Sequence, residues 1–208
     1  MEAVGEGVAE APEELRVPAE DARVAVRRGG SPARDGRCVV YGMQRAQGGR
    51  ENHAVDVAVK VGNALGLPVV VYFAGISNFP HTNLRHYAFL NRGLVDVEED
   101  LAERNVSFVL RNAPRESHEQ LLEDVGAAFL IGDENPMREP ERWRRELASK
   151  IQVPFWTVET DVVVPSKLME KAQYGAEVQF EAVCGADAGA EGGWGVSAAA
   201  GGVLVRAG

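Results

Sequence analysis

The middle of the chain alternates short apolar runs with longer stretches that carry an apolar residue at every third or fourth position. The apolar runs predict five buried strands, at 38–41, 68–73, 106–110, 127–131 and 153–158. The longer stretches predict amphipathic helices at 52–65, 84–104, 117–126 and 140–151. Residues 162–164 could add a sixth short strand. This alternation predicts an α/β fold in which helices cover both faces of a parallel, doubly wound sheet in three layers.

Individual residues mark the ends and the faces of these helices. Asn52 is expected to cap the first helix, and Gly66 to end it. Pro140 suits the first turn of the last helix, in which Trp143 and Leu147 are expected to face inward. The second helix should bury the face made of Tyr87, Leu90, Leu94, Val97 and Leu101.

Both ends of the chain lack such periodicity. For residues 1–36 we expect a flexible leader, whose arginines either contact phosphate or are merely solvated. Residues 37–176 are predicted to form the folded domain. Residues 177–208 are dominated by glycine and alanine, which cannot offset their ordering entropy by burial, so we expect a disordered tail.

Composition narrows the class of protein. The 208 residues include 22 Lys and Arg against 31 Asp and Glu, a formal net charge of −9, so DNA contact would need a local basic patch or another segment. The 2 cysteines, far apart, exclude a disulfide scaffold and a four-thiolate zinc site. With no apolar run near the roughly 20 residues of a membrane span and no signal peptide, we expect a soluble cytoplasmic protein. The oligomeric state stays open.

The candidate site follows from the fold. In an open doubly wound sheet, ligands bind outside the carboxyl ends of the strands, where the strand order reverses. The loops there are 42–50, 74–79, 132–136 and 159–161. The first loop has neither the G-x-G-x-x-G spacing nor a Walker motif, which argues against a standard dinucleotide or P-loop site. Its amide and guanidinium donors could hold an anion or a planar polar ring, or the loop could be only a glycine-rich turn.

Several polar residues allow both a functional and a structural interpretation. Asp133 and Glu134 could do acid–base work or bind metal, but the sequence favours a strand-to-helix turn. Arg85 and His86 could face a ligand or a second domain, although a capped helix start is favoured. The histidines and cysteines lack metal-ligand spacing, and Cys38 lies within a strand, so we expect neither a metal site nor a cysteine nucleophile.

Several segments, in order and at consistent spacing, resemble one family. They are Val39–Gln47, Leu67–Phe73, Leu84–Leu90, Gly132–Pro140 and Val162–Pro165. Over residues 37–176 the chain resembles the N-terminal α/β domain of the DNA photolyase and cryptochrome family. It is most similar to the class II cyclobutane pyrimidine dimer photolyases.

The resemblance implies a Rossmann-like sheet with the strand order 3-2-1-4-5. It also implies that this domain holds an antenna chromophore, often a deazaflavin, which absorbs light and passes the excitation to a catalytic FAD. In the family, that FAD lies in a separate helical domain, which also binds the DNA lesion and repairs the pyrimidine dimer by electron transfer.

Two features depart from the family. The residue after Tyr41 is usually Trp and is Gly42 here. After Ala176, the family continues into a basic linker and the helical domain, whereas this sequence becomes rich in glycine and alanine. A frameshifted or truncated gene model would explain that change. We therefore expect that this chain alone does not repair DNA, and that it binds the antenna chromophore with reduced affinity.

The leading hypothesis is a photolyase α/β domain from a light-dependent DNA-repair lyase, present as a fragment and binding an antenna chromophore. A stand-alone nucleotide- or small-ligand-binding module, or a non-functional remnant, are the alternatives. No catalytic residue is assigned. Phe73 is expected to stack on the ring and the polar residues to hydrogen-bond to it. The candidate chromophore-binding residues are Met43, Gln44, Arg45, Asn52, Phe73, Gly75, Asp133 and Glu134.

Overall fold

The chain divides into two compact units, 1–161 and 162–208. A computed structural model describes residues 12–76, 79, 81–112, 118–169, 194–199 and 202–207. The first unit carries the predicted α/β domain, and all eight candidate residues lie in it.

The described residues of the first unit form six strands and five α-helices. The strands are β1 (Val24–Arg28), β2 (Cys38–Met43), β3 (Val69–Gly75), β4 (Ser107–Asn112), β5 (Ala127–Asp133) and β6 (Phe155–Val158). The helices are α1 (Arg16–Ala19), α2 (His53–Leu65), α3 (Leu84–Glu103), α4 (His118–Val125) and α5 (Arg138–Lys150). A 3-10 turn at Glu13–Leu15 precedes α1. The five strands and four helices predicted between residues 38 and 158 are all present, with small differences at their ends.

The six strands form one mixed sheet in the order β1-β6-β5-β2-β3-β4. Within it, β2 to β6 are parallel and follow the expected order 3-2-1-4-5, which confirms the doubly wound fold. The sheet nevertheless has one strand more than predicted. The additional strand, β1, is antiparallel to β6 and lies at the edge of the sheet.

That edge strand departs from the expected flexible leader. Val24 pairs with Val158 and Val26 with Trp156, and Leu15 is fully buried in the core. Strand β1 has two valines followed by two arginines, which is too short a pattern to show the alternation of a strand. Its partner β6 lies far away in the sequence, so a local pattern does not predict the pairing. Residues 1–11 lie outside the described residues, and their predicted flexibility stays a prediction.

Apolar clusters lie on both faces of the sheet. On one face, α2 and α3 pack against Tyr41, Phe129 and Trp156. On the other, α4 and α5 pack against Val40 and Phe155. Two covered faces are what the continuous apolar strands predict, because each strand must be buried on both sides.

Helix α3 buries the predicted face. Leu94, Val97 and Leu101 are buried, and Tyr87 and Leu90 are half-buried at its first turns. The 3- and 4-residue spacing of these side chains therefore identified both the helix and its orientation.

Helix α5 is rotated relative to the prediction. Trp143 is 50% exposed, whereas the neighbouring Arg144 is only 8% exposed. The inward stripe is Arg144, Leu147, Ala148 and Ile151, a normal helical spacing that contains a charged residue. Leu147 was predicted correctly and Trp143 was not, because the inward arginine is paired with the carboxylates of Glu134, which follows β5, and of Glu141 in α5 itself.

In the second unit, the described residues form one helical turn and a pair of antiparallel strands. Helix α6 (Ser166–Met169) is followed, after residues outside the described part, by β7 (Trp194–Ala199) and β8 (Gly202–Ala207), which pair antiparallel. The suggested strand at 162–164 is absent, and a hairpin occupies part of the tail expected to lack strands. The boundary at residues 176 and 177 is not described and stays a prediction. None of the helices in the described ranges has the length and apolar character needed to cross a membrane.

Candidate functional site

The strand order reverses between β2 and β5, because the chain runs outward from β2 to β4 and then returns to the other side of β2. The carboxyl ends of these two strands meet at Met43 and Asp133. Such a reversal opens a crevice, since the connections on its two sides leave in opposite directions. We call this region the switch-point crevice; it comprises the loops 44–48, 134–136 and 159–161.

Asp133 lies at the base of the crevice and is 3% exposed. Its Oδ1 accepts a hydrogen bond from Tyr41 Oη at 2.7 Å. Its Oδ2 accepts from three successive backbone amides, those of Gln44 at 2.8 Å, Arg45 at 2.6 Å and Ala46 at 3.3 Å. One carboxylate at the end of β5 thereby fixes the loop that leaves β2.

Burial has the largest effect on the pKa values of Asp133 and Tyr41. It raises the pKa of Asp133, although the hydrogen bonds from Tyr41 and from the loop amides act in the opposite direction. The pKa of Tyr41 lies well above 10, first because the phenol is buried and then because the charge of Asp133 opposes its ionisation. Tyr41 is therefore a neutral hydrogen-bond donor at neutral pH.

Asn52 fixes the far end of the same loop. Its Nδ2 donates to Ala46 O at 2.9 Å and to Gly48 O at 3.0 Å. Its Oδ1 accepts from the amides of Ala54 and Val55, so it is the predicted N-cap of α2. With 1% exposure, Asn52 positions the loop rather than presenting a group to solvent.

Gln44 and Arg45 are the predicted residues that remain exposed at the crevice. The guanidinium of Arg45 forms an ion pair with Asp161 from the loop after β6. Because β5 lies between β2 and β6, this pair spans the carboxyl end of β5, where Asp133 lies.

The structure does not bring all eight candidates together at the surface of the crevice. Met43 and Phe73 are 1% and 5% exposed, and the side chains of both pack within the core beneath it. Gly75 is half-buried at the end of β3. Beyond Gly75, the side chains of Ile76 and Phe79 are 45% and 50% exposed and form apolar surface after β3.

Glu134 faces away from Asp133 and enters an ion cluster. Its Oε2 accepts from Arg27 Nη2 at 2.6 Å and from Thr157 Oγ1, and its Oε1 accepts from Arg144 Nη2 at 2.9 Å. Arg144 also donates to Glu141 Oε2 at 2.5 Å. These contacts tie β1, β5, β6 and α5 together, which supports the structural interpretation of Glu134.

The residues near the start of α3 also have structural contacts. Asn83 caps the helix, and His86 Nδ1 accepts from the Asn83 amide at 3.1 Å. The hydroxyl of Tyr87 donates to Ile76 O at 2.9 Å and accepts from Thr82, which holds the loop after β3 against the helix. The capped helix start expected for Arg85 and His86 is present. Within the described ranges, no group of His, Cys, Asp and Glu side chains could hold a metal ion.

A pocket of about 300 Å³ opens at the amino ends of the parallel strands, at the opposite end from the switch-point crevice. Its lining includes Gly36, which precedes β2, and Leu65 and Leu67, which precede β3. Ligands of doubly wound sheets bind at the carboxyl edge, so this pocket at the amino edge is not the expected site.

Tyr41 and Arg144 make specific contacts that were not predicted from the sequence. In the sequence, Tyr41 is part of an apolar run, and Arg144 lies in the helix predicted at 140–151 with no role assigned to it. A tyrosine near the carboxyl end of a buried strand is a recognisable signal, because its hydroxyl needs a partner there. The inward orientation of Arg144 has no comparable local signal.

Fold and site together define the class of this chain, a doubly wound α/β module with a polar crevice at its switch point. A family model described as DNA photolyase matches residues 39–182. The chain belongs to the DNA photolyase family.

Three relatives are each described as deoxyribodipyrimidine photo-lyase. The protein from Methanothermobacter thermautotrophicus is 34% identical over 150 residues, which cover 71% of this chain and 33% of that protein. The proteins from Potorous tridactylus and Arabidopsis thaliana are 28% and 29% identical; the matches cover 66% and 61% of this chain and 26% of each relative. The chain thus matches between a quarter and a third of the length of these relatives.

Proposed function

We propose that the chain serves as the α/β module of a light-dependent DNA-repair protein, and that its switch-point crevice binds an antenna chromophore of the deazaflavin type. Membership of the DNA photolyase family supports the first part of this proposal. The position of the crevice, at the carboxyl ends of β2 and β5, supports the second.

The observation that carries the proposal is the way the loop after β2 is held. Asp133 and Asn52 fix its backbone from below, while the side chains of Gln44 and Arg45 stay exposed above. Ligand sites typically combine a few fixed polar groups with apolar surface. Gln44 and Arg45 provide such polar groups, and Ile76 and Phe79 provide exposed apolar surface at the end of the adjacent β3.

The eight candidate residues take different roles in this proposal. Gln44 and Arg45 hydrogen-bond to the chromophore, and Gly75 lets it approach the end of β3. Asp133 and Asn52 position the loop. Met43, Phe73 and Glu134 stabilise the fold around the crevice.

The remaining chemistry is proposed for the longer proteins to which this module is related. There, the antenna passes its excitation to FAD, and the DNA carrying a pyrimidine dimer is repaired. Neither FAD nor DNA is assigned a residue in this chain.

Co-expression with a deazaflavin source tests the proposal. The purified chain should carry the visible absorption band of the chromophore. Arg45→Ala should retain about tenfold less chromophore, since a hydrogen bond to a charged group contributes about 1.5–3 kcal/mol. Arg142→Ala, which removes an exposed arginine of α5, is the matched control and should retain the wild-type amount.

A colourless wild-type chain would contradict antenna binding. Calorimetric titration with ATP then distinguishes the alternatives. Heat of binding at the crevice, abolished by Arg45→Ala, would indicate a nucleotide-binding module, and no heat would indicate a remnant that only folds.

A further inference from the structure

Three successive backbone amides at the switch point converge on one oxygen atom. The N–H groups of Gln44, Arg45 and Ala46 all donate to Asp133 Oδ2, at 2.8, 2.6 and 3.3 Å. We call these three amides the amide nest. Consecutive amides that point at one oxygen are the arrangement by which protein loops bind anions.

In doubly wound folds, this position is where a ligand places its phosphate. The loop after the first parallel strand leads into a helix, and its amides face the phosphate oxygens. Here that loop leads into α2, but its amides are occupied by a carboxylate of the protein itself.

The carboxylate of Asp133 is fixed in the nest. Asp133 is 3% exposed, and the other oxygen of its carboxylate, Oδ1, accepts a hydrogen bond from Tyr41 Oη at 2.7 Å. A rotation of the carboxylate out of the nest would leave these buried donors without an acceptor, which costs free energy. The guanidinium of Arg45, whose backbone amide belongs to the nest, already forms an ion pair with Asp161. A phosphate approaching this point would therefore meet a fixed negative charge and no free amide.

We propose that Asp133 determines the class of ligand that the crevice accepts: as an internal anion in the amide nest, it excludes phosphate from this point and selects a ligand that presents a neutral ring there. This inference rests on the proposed ligand-binding function of the crevice and specifies its selectivity. It explains why the loop lacks the glycine spacing of phosphate-binding loops, since no ligand phosphate has to approach its backbone.

Titration with inorganic phosphate tests the inference in the full chain. The variants are Asp133→Ala, which empties the nest, and Asp133→Asn, which keeps an acceptor oxygen of the same size in it. The readouts are the amide NMR signals of residues 44–46 and the melting temperature, compared with sodium chloride at equal ionic strength.

Phosphate should shift these amide signals and raise the melting temperature of Asp133→Ala, because an anion that binds only the folded state stabilises it. The affinity of this variant for phosphate should exceed that of the wild type and of Asp133→Asn by at least tenfold. An Asp133→Ala chain that folds only in phosphate would give the same support.

Two results would overturn the inference. One is a wild-type chain whose amides at 44–46 respond to phosphate as strongly as those of Asp133→Ala. The other is an Asp133→Ala variant on which phosphate has no effect, whether the variant is folded or unfolded. No chromophore enters this experiment, so a failure of antenna binding would leave its outcome unchanged.

Discussion

At the scale of single residues, two adjacent acids have separate tasks. Asp133 ends β5 and turns toward Tyr41 and the loop after β2, whereas Glu134 turns toward Arg27 and Arg144. Successive residues of an extended chain point to opposite faces, which is why the two carboxylates separate. The sequence identified the pair and favoured its structural role, but the partners come from elements distant in the chain.

Tyr41 allows a test at alkaline pH. Its pKa is raised in the folded chain, so the folded state keeps its proton when the unfolded state has lost it, and stability must fall as the pH rises above 10. Absorbance at 295 nm should show that one of the 4 tyrosines ionises only on unfolding.

The matched variant is Tyr41→Phe, which cannot ionise at this position. Its stability should fall less steeply above pH 10, although at neutral pH its free energy of unfolding should be lower by about 1.5–3 kcal/mol, because the hydrogen bond to the carboxylate of Asp133 is lost. Equal alkaline slopes for variant and wild type would show that Tyr41 titrates normally.

At the scale of elements, helix caps and ion pairs determine the ends and the rotation of helices, which the apolar pattern alone does not define. The ends of α2 were readable from Asn52 and Gly66, because an amide cap and a glycine with φ 64° are local signals. The rotation of α5 was not readable, since its inward position is filled by Arg144 and not by Trp143.

Removing the cap of α2 should destabilise the chain more than removing the cap of α3. Asn52→Ala loses bonds to the helix and to the carbonyls of Ala46 and Gly48, at a cost of about 2 kcal/mol. Asn83→Ala loses an exposed cap, at about 1 kcal/mol or less. Urea unfolding measures both, and equal losses would contradict the assigned role of Asn52.

Arg144→Ala should be among the most damaging single changes in α5. It leaves Glu134 and Glu141 without their shared buried partner, which costs about 3 kcal/mol. Arg142→Ala on the exposed face should change the free energy of unfolding by about 0.5 kcal/mol or less. Thermal or urea unfolding decides, and similar values for the two variants would refute a structural role for the ion cluster.

At the scale of the whole molecule, the order of the five parallel strands followed from the family resemblance, and their existence from the apolar runs. The sixth strand, β1, was not predicted. It is short, and its partner β6 is the last strand of the sheet in sequence order. The residues of the crevice were also predicted only in part. The location of the crevice followed from the fold. Phe73 ends a run predicted to be a buried strand, so its burial agrees with that run and not with a role in stacking on a ligand, whereas Met43 lies just beyond the predicted strand at 38–41.

Hydrogen exchange tests the edge strand. Peptides that cover Val24–Arg28 should exchange slowly, because β1 is hydrogen-bonded to β6, whereas peptides of a flexible leader exchange at the rate of an unstructured chain. The peptide covering β2, central in the sheet, is the protected reference. Complete exchange of β1 within the shortest labelling time would show that this segment is flexible, as predicted from the sequence for residues 1–36.

The most direct test of the account is a crystal structure of the chain grown with the deazaflavin chromophore. Electron density for the ring is expected at the carboxyl ends of β2 and β5, beside the side chains of Gln44 and Arg45. Density at the amino edge instead, in the pocket beside Leu65 and Leu67, would contradict it.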